Sequence, residues 1–391
     1  MKILHVLCGG AWGGGSSVVH DICSGLIDRG DEVHVVCLDP VSEKRFGEIG
    51  AKPIWLRGWS REISPTDVVP LWDLWTLCIR ERYDLVVTHT SKGGFLGRIG
   101  ARLAGAPNIL HHAHGYSFSQ TPPGLKHNLY LWLEMLAAWA ADGAICVSEE
   151  HRQAAIQEGA EREETICTVH NGIDLQPYRS AGRDSARRDL GFADDEFIIG
   201  GVGRLAAGKG FEELIAAMPA IVDRFPHARA AIAGDGPILD DLKTLARDKG
   251  VSGVVCFLGF RKDVPQILAA FDLFAQPSHR EGLSISNIEA MAAGKPIVAS
   301  AIPGNREQIF HEETGLLVPA ESPVELSKAI ERIVSDPELA SRLGAAAQQY
   351  AESHFDSRLM VERNLKVYDH LISQRLSGSN WTAPQFIAAR S

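Results

Sequence analysis

Short β-rich apolar runs alternate with helical patterns along the whole chain, and the series occurs twice. KILHVLC (2–8), EVHVVCL (32–38), LVVTH (85–89), NILHHA (108–113) and GAICVS (143–148) form the first set of strand candidates. FIIGGVG (197–203), ARAAIAG (228–234), VVCFLG (254–259), LFAQPS (273–278) and PIVAS (296–300) form the second. Amphipathic stretches such as SSVVHDICSGLIDRG (16–30) and FEELIAAMPAIVDRF (211–225) lie between them. A strand apolar on both faces needs cover on both, so repeated β-α-β order predicts parallel sheets between layers of helices. The 391 residues exceed one ordinary core, and a polar segment, 177–195, separates the two series. Two doubly wound α/β domains are expected, 1–176 and 177–354, with a helical tail, 355–391, whose tip SGSNWTAPQ is expected to be poorly ordered.

The net charge of −10 carries no basic tail, which argues against general nucleic-acid binding. Seven cysteines, an odd number without a C-x-x-C pair, read as buried thiols of a reducing, cytoplasmic compartment. The apolar run of MKILHVLCGG is too short for a signal peptide and reads as a buried first strand. No uncharged apolar stretch is long enough to span a bilayer. LYLWLEMLAAWA (129–140) comes nearest, but Glu134 interrupts it; it is expected to be a core helix, a helix lying on a membrane being the other reading. No acid occurs between Asp84 and Glu134, whereas Lys92, Arg98, Arg102 and Lys126 do. Such a stretch suits an anionic membrane surface or a phosphate-bearing substrate, unless it is simply a solvated face.

In open parallel sheets, ligands bind beyond the carboxyl ends of strands, where loops lead into helix N-termini. After the first strand comes CGGAWGGGSSVV (8–19), where Gly13, Gly14 and Gly15 let the backbone approach a ligand and Ser16 or Ser17 could cap the helix. It is not G-x-G-x-x-G, although Asp39 near the end of the second strand keeps an NAD-type oxidoreductase open. In HHAHGYSF (111–118), alternation puts His112 and His114 on one face and His111 on the other. No further ligand pattern supports a metal site there. His114, before Gly115, is best placed to face a cleft, and a satisfied structural histidine is the alternative.

GGVGRLAAGKGFEEL (200–214) contains G-x-x-x-x-G-K at Gly203, Gly208 and Lys209. The next residue is Gly210, where a P-loop NTPase needs a hydroxyl for Mg²⁺. What survives is a cation pair, Arg204 and Lys209, suited to a diphosphate held without metal. HREGLSISNIEAMAAGKP (279–296) reads as loop, helix and glycine stop. Ser286 and Glu289 match an S-x-x-E capping box, which is the bland account of Glu289. Glu281 sits in the loop over the strand end, where a carboxylate can accept two hydrogen bonds from sugar hydroxyls. The helix N–H groups beside it can hold phosphate, and Glu289 can reach a ribose. That set is a nucleotide-sugar footprint.

Glu281 and Glu289 form E-x₇-E. With Arg204, Lys209, the Gly13–Ser16 loop, HAHG (112–115) and VHNGID (169–174), the chain resembles the retaining glycosyltransferases of family 4 over nearly its whole length. The resemblance implies the GT-B fold: two facing Rossmann-like domains, with a C-terminal helix crossing back to the first. It implies that Glu281 binds donor-sugar hydroxyls, that Glu289 binds ribose, and that Arg204 and Lys209 hold the diphosphate. Backbone at Gly282, Leu283 and Ser284 would support sugar and phosphate, although Ser284 stands where such enzymes often carry Gly or Pro. Gly14 and Gly15 would approach the phosphate from the other domain, and His114 would lie beside the transferred sugar. HTSKGGFLGR (89–98) looks like members that extend polyprenyl-diphosphate-linked glycans. A retaining, metal-independent glycosyltransferase is therefore expected, moving a sugar from a nucleotide sugar, with UDP the leading base, to a lipid-linked glycan at the inner membrane face. It would use no cofactor. A nucleotide-sugar epimerase is the alternative on the same fold.

Overall fold

The computed structural model of the protein describes residues 1–8, 12–37, 39–60, 64–119, 121–378 and 381–386. It divides into two compact units, 1–171 with 357–391, and 172–356.

The first unit runs β1 (Lys2–Val6), α1 (Gly14–Asp28), β2 (Glu32–Val36), α2 (Pro40–Glu48), β3 (Lys52–Ile54), α3 (Val68–Glu81), β4 (Leu85–His89), α4 (Ser91–Leu103), β5 (Ile109–Ala113), α5 (Leu125–Trp139), β6 (Gly143–Cys146), α6 (Glu149–Gln157) and β7 (Ile166–Thr168). Its parallel sheet has the order β3-β2-β1-β4-β5-β6-β7. The second unit runs α7 (Gln176–Ser180), α8 (Arg183–Leu190), β8 (Phe197–Val202), α9 (Phe211–Arg224), β9 (Ala228–Ala233), α10 (Leu239–Asp248), β10 (Val255–Gly259), α11 (Val264–Ala270), β11 (Leu273–Gln276), α12 (Ile285–Ala292), β12 (Ile297–Ser300), α13 (Asn305–Gln308), β13 (Leu316–Val318), α14 (Pro323–Ser335) and α15 (Pro337–His354). Its parallel sheet is ordered β10-β9-β8-β11-β12-β13. Both orders reverse direction beside the first strand of the unit, the switch point where open α/β sheets bind ligands.

Every strand expected from the sequence is present. Those not foreseen, β3, β7 and β13, are three residues long and lie at sheet edges. An edge strand is paired on one side only, so its sequence is under weaker apolar constraint than that of a central strand. Central strands such as β4 and β5 are buried at every residue, which is why they read as unbroken apolar runs.

The chain returns to the first unit through α16 (Ser357–Leu376), which packs on α1. A side chain at Gly25 would run into Val361, so the absence of one lets the two helices approach. In the tail, Ser379 and Asn380 lie outside the described residues, and Trp381 packs against Gly143. Ala383 N–H donates to Glu164 O at 2.7 Å, adding a main-chain tie. An exposed polar stretch becomes fixed here because one indole fills a site that a glycine leaves open.

The expectation of a core helix at 129–140 is corrected. Of α5 only Glu134 and Ala137 are buried, and Glu134 is there to meet Arg98. Leu125 (91 % exposed), Leu129 (53 %), Trp132 (58 %), Leu136 and Trp139 (76 %) form an outward stripe. Their spacing of three and four residues puts them on one helix face. The acid-free stretch is also corrected as a basic surface. Lys92 pairs with Asp67 at 2.6 Å, Arg98 with Glu134 at 2.6 Å and Arg102 with Asp142 at 3.0 Å. The acids it lacked in sequence reach it from other elements. Among the described residues no helix is long and apolar enough to cross a membrane. The seven cysteines are all free, six of them buried, and burial pushes the thiols of Cys37, Cys78 and Cys167 up to about 12.

Candidate active site

In the second unit the loops after β8 and β11 meet at the carboxyl ends of adjacent strands. Gly210, the residue before α9, has a left-handed φ of +76°, and a side chain there would strike the Pro277 carbonyl. The position where a P-loop needs a hydroxyl is therefore one where this backbone requires glycine. His279 ties the loops further: its N–H donates to Gly208 O at 2.9 Å, and its Nε2 lies 2.8 Å from Glu213.

Glu281 stands where the loops join. Lys209 Nζ donates to both its oxygens, at 2.8 and 3.0 Å. Gln276 Nε2 and Ser278 Oγ donate to Oε1 at 2.9 and 2.8 Å. Glu281 is thus more strongly held than its loop position suggested, and its partners Gln276 and Ser278 were missed in sequence. Their signal was present: they sit five and three residues before Glu281, Gln276 closing β11 and Ser278 just beyond it. Arg204 lies on the same loop as Lys209 but is exposed, and makes no side-chain ion pair among the described residues. The structure brings Lys209 and Glu281 together and leaves Arg204 free to meet an anion.

Helix α12 is capped by Ser284, whose Oγ accepts from Asn287 N–H, and not by Ser286. The capping-box account of Glu289 therefore falls. Ser284 N–H is taken by Gln308 at 3.2 Å. Of the helix's opening N–H groups, those of Ile285 and Ser286 keep no protein partner among the described residues. The loop itself is fixed by Gly304 (φ +80°), where a side chain would collide with Gly282 O. Leu283 is buried beneath it.

Glu289 is half-buried one turn further along α12. Burial pushes its carboxyl up to about 7, and a 2.7 Å hydrogen bond from Tyr178 Oη partly opposes that rise. Tyr178 comes from α7, inside the segment that the sequence reading treated as a linker. Nothing in its local sequence distinguishes it.

The remaining candidates belong to the first unit. Gly14 and Gly15 open α1, which has neither a side-chain cap nor an acid in its first turn, so Ser16 and Ser17 do not cap it. Gly9, Gly10 and Ala11 of that loop lie outside the described residues. Asp39 is occupied as the cap of α2: it accepts from Val41 and Ser42 N–H at 3.0 Å each and from Ser42 Oγ. That accounts for it without a ribose. His114 follows β5, half-buried, with its Nε2 3.3 Å from His89 Nδ1. Among the described residues no cluster of three or more potential ligands could hold a metal ion.

Comparison with known proteins agrees over the length of the chain. Residues 12–177 match the model of Glycosyltransferase Family 4, and residues 182–350 that of Glycosyl transferases group 1. The chain is 34 % identical over 311 residues to the Escherichia coli UDP-Gal:alpha-D-GlcNAc-diphosphoundecaprenol alpha-1,3-galactosyltransferase, covering 78 % of this chain and 80 % of that one. It is 26 % identical over 371 residues to a Campylobacter jejuni N,N'-diacetylbacillosaminyl-diphospho-undecaprenol alpha-1,3-N-acetylgalactosaminyltransferase, covering 92 % and 97 %. Anabaena HepE, crystallised with UDP and glucose, superimposes with a TM-score of 0.83 at 26 % identity, over 94 % of this chain and 99 % of that one. The chain belongs to glycosyltransferase family 4 and is a retaining glycosyltransferase of the GT-B fold.

Proposed function

We propose that the protein transfers a hexose from a UDP-sugar to a polyprenyl-diphosphate-linked sugar, with retention at the anomeric carbon. The observation that carries this reading is the Lys209–Glu281 pair, set beside the open N–H groups of α12 and the unpaired Arg204. Lys209 has three N–H donors and spends two of them on Glu281, so one remains for a phosphate oxygen. Arg204 supplies a second cation, and the Ile285 and Ser286 N–H groups a third contact. Glu281, buffered by Lys209, accepts from sugar hydroxyls, and Glu289 accepts from the ribose. Gly282, Leu283 and Ser284 present backbone to the same ligand; Gly14 and Gly15 are assigned to its phosphate, and His114 to the transferred sugar, on the family resemblance.

In this mechanism the bond from the anomeric carbon to the diphosphate breaks first, and positive charge develops on the sugar. The acceptor hydroxyl attacks from the same face and gives its proton to the departing phosphate oxygen. Arg204 and Lys209 act by stabilising the charge that accumulates on that diphosphate. The relatives that act on undecaprenol-linked sugars support the acceptor class. The test is release of nucleoside diphosphate from UDP-, GDP- and ADP-sugars, with and without a polyprenyl-diphosphate-sugar. Acceptor-dependent UDP release, lost in Glu281→Ala, is expected; release independent of acceptor would favour the epimerase.

We infer also that α5 contacts the bilayer that carries such an acceptor, placing the enzyme in the cytoplasm at the inner face of the plasma membrane. Val68 and Trp72 of α3 (68 and 58 % exposed) are further exposed apolar side chains of the same unit, α3 packing on α4 and α4 on α5. Tryptophan suits the interface between headgroups and acyl chains. Because three of the four nearby cations are paired internally, the attraction is apolar more than electrostatic. Binding to zwitterionic vesicles that persists in high salt and is lost in Leu129→Glu/Trp132→Glu is expected. Binding only to anionic vesicles at low salt would overturn it, and a concentration-dependent dimer without vesicle binding would assign the stripe to a second copy.

A further inference from the structure

Four histidines of the first unit share one face of its sheet. His5 pairs in register with Val87, two residues before His89, and His89 pairs with His112, two residues before His114. Their rings form a connected row. His5 Nδ1 lies 2.9 Å from His89 Nε2, and His89 Nδ1 lies 3.3 Å from His114 Nε2. His112 stacks on His114 with centroids 4.8 Å apart and planes 8° from parallel. Tyr368 of α16 covers the inner end, its ring centroid 6.3 Å from that of His5. Burial keeps the row neutral, holding His5 near 3 and His114 near 4.

A neutral imidazole has one N–H and one acceptor nitrogen, so each bond in the row fixes the next. Only two proton arrangements satisfy both bonds. In the outward one, His5 Nδ1–H donates to His89, His89 Nδ1–H donates to His114, and His114 carries its proton on Nδ1. In the inward one every proton is reversed, and His5 holds an N–H at Nε2. That nitrogen is buried and meets no partner. A buried N–H without an acceptor is rarer and costlier than a bare acceptor. His112, neither of whose nitrogens is bonded, already carries one such N–H. The outward arrangement avoids a second.

We propose that His5 and His89 are positioning residues that set the tautomer of His114, so that it offers Nδ1–H, and not a lone pair, to an oxygen of the donor sugar or its phosphate. This rests on the placement of His114 beside the transferred sugar. It adds a selectivity rule to that placement. A ligand must bring an acceptor oxygen to His114, because a ligand that needs to donate there would have to reverse three imidazoles at once.

The experiment is long-range ¹H–¹⁵N correlation on the full chain labelled with ¹⁵N-histidine, read together with transferase kinetics. In the wild type, His114 is expected to be protonated at Nδ1 and to stay neutral at pH 6. His89→Leu removes the donor to His114 Nε2, so a population protonated at Nε2 is expected, with kcat lowered roughly tenfold, the scale of one lost buried hydrogen bond. His89→Asn keeps an N–H where Nδ1 stood, and is expected to recover the Nδ1–H tautomer and most of kcat. Nε2–H on His114 in the wild type overturns the proposal, and this result does not require any variant to fold. A tautomer indifferent to His89→Leu in a folded variant overturns it as well. Full activity in His114→Ala would instead remove His114 from the sugar site, and the selectivity rule with it, even where the tautomer is as expected.

Discussion

Tyr178 donates its hydroxyl to Glu289 across 2.7 Å, joining a short helix outside the sheet to the carboxylate assigned to the ribose. The pairing gives Glu289 a defined orientation before any ligand arrives. It also partly offsets the burial that pushes this carboxyl up to about 7.

That elevated value makes stability pH-dependent. Between the ordinary carboxylate range, near 4.5, and about 7 the folded state holds a proton on Glu289 that the unfolded chain has released. The contribution is therefore fully present below that window and is lost as pH rises through it. Glu289→Gln is expected to flatten this part of the profile of Tm against pH; an unchanged slope would locate the proton elsewhere.

The same titration should appear in donor binding. On the proposed assignment an ionised Glu289 would accept from both ribose hydroxyls, so the donor KM is expected to fall as pH rises from 6 to 8. Tyr178→Phe removes the bond that favours the ionised form. The midpoint should move to higher pH, and KM at neutral pH should rise roughly tenfold, the scale of one hydrogen bond to a charged group.

Arg204→Ala and Lys209→Ala are each expected to lower kcat by about a hundredfold or more, the scale of a lost transition-state donor. Lys209→Ala should also raise the donor KM, because Glu281 loses its cation. A change confined to KM would mean that these cations bind the ground state only.

Gly210→Ser would complete a P-loop motif. It also forces a side chain onto the Pro277 carbonyl at a left-handed φ. The expected result is loss of transferase activity and about 1–3 kcal/mol of stability, with no Mg²⁺-dependent ATP hydrolysis gained. Urea unfolding and an ATPase assay on the same preparation check both.

Arg187 is fully buried in the second unit, where it donates to the carbonyls of Ala193, Asp194, Glu196 and Ala270 and pairs with Asp272. Asp272 in turn accepts from Ile198 N–H at 2.7 Å. Arg187→Leu leaves that carboxylate only Ile198 N–H and the more exposed Arg183, and takes a buried donor from four carbonyls. A loss of about 3–5 kcal/mol is expected in denaturant unfolding, with the donor KM of the remaining folded enzyme unchanged.

Central strands and their order of appearance were legible in the sequence because burial on both faces leaves an unbroken apolar run, as in LVVTH and LFAQPS. The candidate site residues could be picked out where neighbours in sequence share a loop: Glu281 and Glu289 on one strand–helix junction, Arg204 and Lys209 on another. What tertiary structure decided were the relations between segments far apart. The acids that neutralise Lys92 and Arg98, the tyrosine that holds Glu289, and the glycine that receives Trp381 come from elsewhere in the chain. Periodicity showed α5 to be apolar but could not say which side was covered. Only the packing of its neighbours left that stripe outward. The histidine row shows the same limit, since HHAHG fixes which rings share a face, while the order of hydrogen bonds depends on β4 lying between β1 and β5. Local spacing carries information about one element's faces, and a single chain's sequence carries none about which other element those faces will meet.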